Sequence, residues 1–423
     1  MSSSIDLESA SENSPKDISC IEHAGTLIHH VEANSSAVLQ SFVSKCSREG
    51  RSIISSRPFP LPEKPAHRID YFLTLSAQSV IEHFQPDQVI SVEAGISISN
   101  LQKLLSEHKQ WFPVYAHDED MSLMEYINSG SSGPLEHAFG EARDLVLGMT
   151  VVLGTGEYIK CGGKVVKNVT GYDLPKLFAG SHGTLAIPYS AHLRLFALPE
   201  TSITMVFDFA SIGSALTVAR KLRRSGLPLS CLELFSSNAF EVSTQVLPQN
   251  LNEISRGAHV SLAVEIHGSR SVVEELQKES MVLASDAVSS RIFNEADARV
   301  LWRFLAKPYA KLGSRWVGVS ASLALIESIL QGLKDSQSVA WTLRCGKNKG
   351  YIFSSGEILS EVEDLIKRIS SSSNERVVVA HSGSAYTWKV RLLPEPDAVL
   401  DELKHRLKRE FDPSGILNPL AEL

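Results

Sequence analysis

The chemistry most legible in this chain is carried by glycines. Two neighbouring segments concentrate them: Cys161-Gly162-Gly163-Lys164-Val165-Val166-Lys167-Asn168-Val169-Thr170-Gly171-Tyr172-Asp173-Leu174, and Leu177-Phe178-Ala179-Gly180-Ser181-His182-Gly183-Thr184-Leu185-Ala186-Ile187. Lacking a Cβ, glycine lets main-chain N–H groups approach an anion closely. The interleaved Asn, Thr and Ser add donors, and Lys164 and Lys167 add positive charge. The pattern suits contact with an anionic ligand. It equally suits two ordinary loops around a helical turn, and the residues alone leave both readings open.

Two further segments are weaker individually. Val92-Glu93-Ala94-Gly95-Ile96 is a strand ending in glycine before a helix, and Arg143 to Leu153 is a strand followed by Gly156-Glu157. Cysteine and histidine point away from metal chemistry. Cys20, Cys46, Cys161, Cys231 and Cys345 are scattered; no pair has metal-ligand spacing and no run suits an iron–sulfur cluster. They read as isolated thiols, and no metal is expected. His23, His29, His30, His108, His117 and His137 have no ligand-like mutual spacing and read as non-catalytic.

The elements that must position these residues follow an α/β pattern from Thr26. Leu27–Val31, Ser52–Ser55, Tyr71–Leu75 and Gln88–Val92 read as strands. Ser35 or Ser36 caps a helix with apolar positions Val38, Leu39, Phe42, Val43 and Cys46, and Ser97 or Ser99 opens another through Leu101, Leu104 and Leu105. Met149–Leu153 and Tyr158–Lys160 form a hairpin around Gly154-Thr155-Gly156-Glu157, and Leu185–Leu195 is a strand region. Pro199 marks a boundary. Beyond it come strand Ile203–Phe209, helix Ser211–Arg224, strand Leu229–Phe235, strand His259–His267 and helix Ser271–Ala284. Further strand and helix pairs near 316–333 and 340–366 complete an antiparallel sheet with helices on one face, an α+β arrangement.

Composition bounds what the protein can be. With 423 residues, 43% hydrophobic and 21% charged, it should fold as two or three domains and stay soluble. A formal net charge of -7 and the lack of a basic stripe argue against a nucleic-acid partner. No apolar run is long enough to cross a bilayer. Met1 to Asp17 has no apolar stretch of the signal-peptide kind and reads as a disordered tail, assigned to residues 1–20.

Taken together the segments resemble a family. Glu93-Ala94-Gly95, Asp144-x-Val146-Leu147-Gly148 and Gly180-Ser181-x-Gly183-Thr184-Leu185 are similar to the FAD-binding domain of the vanillyl-alcohol oxidase superfamily. Gly163-Lys164-x-x-Lys167-Asn168-x-x-Gly171-Tyr172-Asp173 narrows this to the FAD subunits of glycolate oxidase, nearest the smaller one. The chain's end, Phe411-Asp412-Pro413-x-Gly415-Ile416-Leu417-Asn418-Pro419, agrees. The resemblance implies a PCMH-type two-subdomain FAD-binding domain over 21–199, split near 75, and a smaller C-terminal α+β domain over 200–423. It implies non-covalent FAD, held by Gly183, Thr184, Leu185 and Ile187 near the adenine and ribose. It places the loop Gly130, Ser131, Ser132 and Gly133 facing the diphosphate, and Lys167, Asn168, Gly171 and Asp173 close to the cofactor.

Some positions depart from the family. After Ser55 the chain reads Ser56-Arg57-Pro58-Phe59-Pro60-Leu61-Pro62, where a glycine loop is usual, and the prolines remove backbone donors. Asn128 to Gly133 keeps two glycines but not an adjacent pair. The family's histidine pair and acid near the flavin are reduced to His381 in Ala380-His381-Ser382-Gly383-Ser384, the single candidate base. The resemblance therefore implies an FAD-binding accessory subunit of a complex oxidising glycolate to glyoxylate. Its partners are a larger FAD subunit and an iron–sulfur subunit, and its place is cytoplasmic or peripheral at the inner face of the membrane. The alternatives are a flavin-free assembly subunit of such a complex and a self-contained hydroxy-acid oxidase.

Overall fold

The computed structural model describes residues 14–23, 26–55, 67–116, 118, 120–165, 171–243, 259–307, 316–333, 338–354, 359–373, 375, 377–382, 388–393 and 398–419. The loop Ser56–Pro62, with its prolines, and Lys167 and Asn168 lie outside the described residues.

The first subdomain is a four-stranded sheet, ordered β1-β2-β4-β3, of β1 (Lys16–His23), β2 (Thr26–Ala33), β3 (Ile53–Ile54) and β4 (Tyr71–Leu75). β1 pairs antiparallel with β2 from Lys16 onward, so residues 16–20 are strand rather than tail, while 1–13 lie outside the described residues. Helix α1 (Ser36–Glu49) is capped by Ser35, whose side chain accepts from the Val38 amide, and ends at Gly50 in the left-handed region. Its buried stripe is Val38, Leu39, Phe42, Val43 and Cys46, as the spacing predicts.

The second subdomain is a five-stranded sheet, ordered β5-β6-β10-β8-β9. It comprises β5 (Val80–Phe84), β6 (Val89–Glu93), β8 (Val146–Leu153), β9 (Tyr158–Gly162) and β10 (Ala186–Arg194). Helix α2 (Ile98–Ser106) follows β6, and α3 (Leu123–Ser129), α4 (Glu136–Phe139), α5 (Ala142–Leu145) and α6 (Leu174–Phe178) pack around the sheet. A small ladder pairs β7 (Gln110–Trp111) with β11 (Phe196–Ala197).

The C-terminal domain is a nine-stranded antiparallel sheet, ordered β15-β12-β14-β13-β17-β18-β16-β19-β20. The strands are β12 (Thr201–Phe209), β13 (Cys231–Ser236), β14 (Val260–Gly268), β15 (Ser289–Phe293), β16 (Trp316–Ser320), β17 (Val339–Arg344), β18 (Lys349–Ser354), β19 (Val377–Ser382) and β20 (Trp388–Leu393). One face buries α7 (Ile212–Arg224), α9 (Arg270–Leu283), α11 (Leu323–Gly332) and α12 (Leu359–Ser373) in the largest apolar cluster. The other face carries α8 (Ala239–Val242) and α10 (Glu295–Ala306), whose Leu301, Trp302 and Leu305 are buried with Leu135 of the first domain. Helices thus lie on both faces, and the second face is where the two domains meet.

The chain's last described segment does not stay with its own domain. After α13 (Ala398–Phe411), residues 412–418 run back along β3. Ile53 donates to Ile416 and accepts from Asn418, at 2.8 and 2.7 Å. Lys408 fastens this return. Its ammonium donates to the Thr184 and Leu417 carbonyls and to Asp412, each at 2.7 Å. Asp412, 1% exposed, accepts the Ile416 and Leu417 amides as well. Lys408→Met strands a buried carboxylate, so a loss on the order of 3 kcal/mol is expected in a thermal or urea melt. An unchanged midpoint would show that the tail's return is not fastened this way.

Candidate functional site

The site is assembled where α3, the Gly180 turn and the end of β3 converge. Ser122 caps α3 in a reciprocal box with Glu125, and the helix ends at Gly130 in the left-handed region, φ 73°. A Cβ on Gly130 would lie 2.6 Å from the Gly180 Cα, so the two backbones touch. The Gly180 amide donates to the Ile127 carbonyl and the His182 amide to the Asn128 carbonyl, both at 2.8 Å. A Cβ on Gly183 would meet Ser55 Oγ at 2.6 Å and Asn128 Nδ2 at 3.2 Å. Asn128, fully buried, donates to the Ser55 carbonyl at 3.2 Å and hydroxyl at 3.3 Å.

The turn that results has its own donors. Thr184 Oγ1 donates to the Ser181 carbonyl at 2.7 Å, and the Ser181 and Thr184 amides bond to Phe178 and Ser181. The Gly183 and Leu185 amides take no part in these bonds. The buried Ser181 hydroxyl finds no partner among the described residues. A dinucleotide's phosphate and ribose oxygens are acceptors of the kind these donors lack, so the turn fits FAD. Lys408 and the Asn418 side chain hold the Thr184 and His182 carbonyls from below. Burial, and second the Lys307 ammonium, press His182 to about 4. Lys307 closes α10; burial pushes its own pKa down, against the pull of Glu125 and Asp118.

The other expected residues fall in different settings. Leu185 and Ile187 are fully buried, Ile187 opposite Val152 in the β10–β8 ladder, so only their main chain can serve a ligand. Gly171 is exposed in the left-handed region with open space at its Cβ, and Asp173 is exposed and paired with Lys176 at 2.9 Å. His381 lies in β19, its backbone paired with Val317 and Lys389.

The loop expected to face a diphosphate departs from expectation. The Ser131, Ser132 and Gly133 amides donate to Ser129 Oγ, Glu136 Oε1 and Ser131 Oγ, at 3.4, 3.1 and 3.3 Å. Its donors are engaged within the chain, that of Ser132 by the buried carboxylate of Glu136 four residues on. That carboxylate meets Arg344 of β17 at 3.0 Å and Lys349 of β18 at 3.5 Å. Sequence reasoning missed Glu136, Arg344 and Lys349, as it missed Ser55, Asn128 and Lys307, because their meeting depends on domain packing. The five cysteines are free thiols, as the sequence predicts; Cys20 Sγ lies 3.3 Å from His29 Nδ1, itself 3.1 Å from Asp17. This is the one metal-ligand-type grouping among the described residues; its side chains bond one another near the surface.

A second interface network centres on Glu265, 2% exposed. Tyr115 OH donates to its two oxygens at 2.8 and 2.7 Å, and Thr204 and Cys231 donate at 3.3 Å. Trp302 Nε1 donates to Thr204 at 2.9 Å. Burial drives the Tyr115 phenol well up, and the neighbouring Glu265 charge adds to it.

Known proteins agree with this architecture. Residues 64–162 match an FAD binding domain, and residues 198–324 match the C-terminal domain of FAD linked oxidases. The chain is 31% identical over 201 residues to a probable mitochondrial D-lactate dehydrogenase of Danio rerio, covering 47% of this chain and 39% of that protein. It is 33% identical over 213 residues to the glycolate oxidase subunit GlcD of Bacillus subtilis, covering 50% and 45%. The chain thus matches less than half the length of either. The fold is similar to that of p-cresol methylhydroxylase crystallised with substrate, with a TM-score of 0.66 at 14% identity, covering 92% of this chain and 87% of that one. The fold is of the p-cresol methylhydroxylase type. The two matched segments are the FAD-binding and C-terminal domains of FAD linked oxidases, and they support FAD as the cofactor.

Two outcomes test the site. Gly183→Leu forces a side chain onto Ser55 at a positive φ, and purified protein should carry less than a tenth of the wild-type flavin absorbance while the C-terminal domain melts normally. Unchanged flavin content would move the cofactor elsewhere. Glu233, beside Arg344, is raised to about 8, chiefly by burial, with Arg344 opposing and Glu136 adding. A carboxyl raised on folding contributes stability that is whole below pH 4.5 and fades as pH rises to about 8. The fade is at most about 1.4 kcal/mol per pH unit. Glu233→Gln should flatten that slope in melts from pH 5 to 8.5. Parallel curves for the two proteins would mean that Glu233 keeps an ordinary pKa.

Proposed function

We propose that this chain is the FAD-binding accessory subunit of a complex that oxidises a small 2-hydroxy acid, glycolate foremost, to the 2-oxo acid. The observation that carries the reading is the Gly180–Leu185 turn, with its buried, unpartnered Ser181 hydroxyl, in a chain one-third identical to a glycolate oxidase subunit over half its length. FAD, when bound, supplies the two-electron acceptor. In this reading the chain's own residues bind and orient. Ser181 and the Gly183 and Leu185 amides hold the nucleotide, with Gly171 and Asp173 close by, and Lys167 and Asn168 belong to the same stretch. Thr184 shapes the turn, and Lys307 places a cation beside it.

An accessory role is favoured by the state of His137 in the interface. It is half-buried, its pKa is pressed to about 4 chiefly by desolvation, and it sits where a Cβ on Gly346 would clash with its ring. With its pKa that far below neutral, His137 is a weak base for a substrate hydroxyl. The partners this reading requires are a larger FAD subunit, which performs the oxidation, and an iron–sulfur subunit, which carries the electrons away. Among the described residues no helix is long and apolar enough to cross a membrane, so any attachment to one runs through those partners in this proposal.

Co-expression with a larger flavoprotein subunit and an iron–sulfur subunit tests it. The isolated chain should show a flavin spectrum near one per chain with negligible glycolate-dependent dye reduction, and the complex should reduce dye. Turnover by the chain alone would make it a self-contained oxidase. A colourless chain in an active complex would make it an assembly subunit.

A further inference from the structure

One carboxylate in the domain interface is bound as a ligand would be. Glu136 begins α4 and is 1% exposed. Its Oε1 accepts from Ser131 Oγ at 3.1 Å, from the Ser132 amide at 3.1 Å and from Arg344 Nη1 at 3.0 Å, while Lys349 Nζ stands 3.5 Å from Oε2. A hydroxyl, a main-chain amide, a guanidinium and an ammonium converging on one point are the donor set that recognises a free carboxylate. Two of the donors belong to the FAD-binding domain and two to the C-terminal sheet, so the site exists only where the domains meet.

The surroundings keep Arg344 in place whether or not Glu136 is there. Its Nη2 donates to the Ala306 carbonyl at 3.0 Å, its guanidinium lies 5.0 Å from the Tyr351 ring centroid, and its Nη1 also donates to Ser131 Oγ at 3.2 Å. Lys349 is held by Glu141 as well. Glu233 is the strand-pair partner of Arg344 across β13 and β17, with Oε1 3.8 Å from Arg344 Nε; burial raises its pKa and favours its neutral form. That leaves the carboxylates of Glu136 and Glu141 against the cations of Arg344 and Lys349. A buried ion pair adds little net stability over an apolar pair. This one places a carboxylate oxygen, Glu136 Oε1, on a hydroxyl, an amide and a guanidinium at once.

We infer that Glu136 is an internal ligand: it occupies an anion site between the two domains that would otherwise take a small carboxylate, and so denies that site to a 2-hydroxy acid. The biological role rests on the proposed function, since an accessory subunit must not compete for substrate; the occupancy itself does not.

The experiment is a thermal-shift titration of the full chain with sodium acetate and sodium glycolate, against sodium chloride at equal ionic strength. Wild type should respond to all three alike. Glu136→Ala should melt lower and gain a saturable rise of roughly 2 °C or more with acetate and glycolate over chloride. Adding Arg344→Ala should erase that gain. If Glu136→Ala is not recovered folded, refolding decides: recovery with acetate but not chloride supports the inference. No recovery with either, or a variant that responds to acetate no more than wild type does, overturns it. Neither arm contains a partner subunit or measures oxidation, so failure here is separate from failure of the proposed function.

Discussion

The contact between the backbones of Gly130 and Gly180 sets the geometry on which the rest depends. At 2.6 Å from a would-be Cβ to the opposing Cα, no other residue fits at Gly130 without parting the two segments. The closeness lets α3 end against the Gly180 turn, brings Asn128 onto Ser55, and aligns the His182 amide with the Asn128 carbonyl. The end of α3 thereby becomes the template for the Gly180 turn of the same subdomain.

Around that contact the chain uses its own far end as scaffolding. Lys408 reaches the Thr184 and Leu417 carbonyls and Asp412 together, and the Asn418 side chain donates to His182. The C-terminal tail is therefore part of the FAD-binding domain in space, though it follows the other domain in sequence. A turn that must present unpaired amides to a ligand cannot satisfy them internally, and bonds to its carbonyls from outside are one way to hold it rigid.

The interface between domains is polar and buried, and the two networks there differ in kind. Glu265 gathers uncharged donors from both domains and fixes Tyr115 and Trp302 in a stack. Glu136 gathers charged ones, and burial pushes the neighbouring Glu233 toward its neutral form. Desolvating such groups is costly unless each is met by a partner, which ties the relative placement of the domains to the registry of β13, β17 and β18.

Much of this was legible in the sequence. Local rules are strong where periodicity and caps agree: α1 with its Ser35 cap and five-residue stripe, β4 at Tyr71–Leu75, and α7 after Ser211. The Gly180–Leu185 signature marked a tight turn because positive-φ glycines leave a mark in residue type. Residue type also marked the tail motif from Phe411 to Pro419, although nothing local said that it would pair with β3. Only the tertiary structure decided that α10 lies on the sheet face opposite its neighbours, and that the Ser132 amide donates to Glu136 while the Ser131 and Gly133 amides donate to serine hydroxyls. It also decided that Arg344 and Lys349 complete that anion site from the other domain. Those outcomes depend on which surfaces meet, and a carboxylate and a guanidinium 208 residues apart carry no sequence pattern that names them as partners.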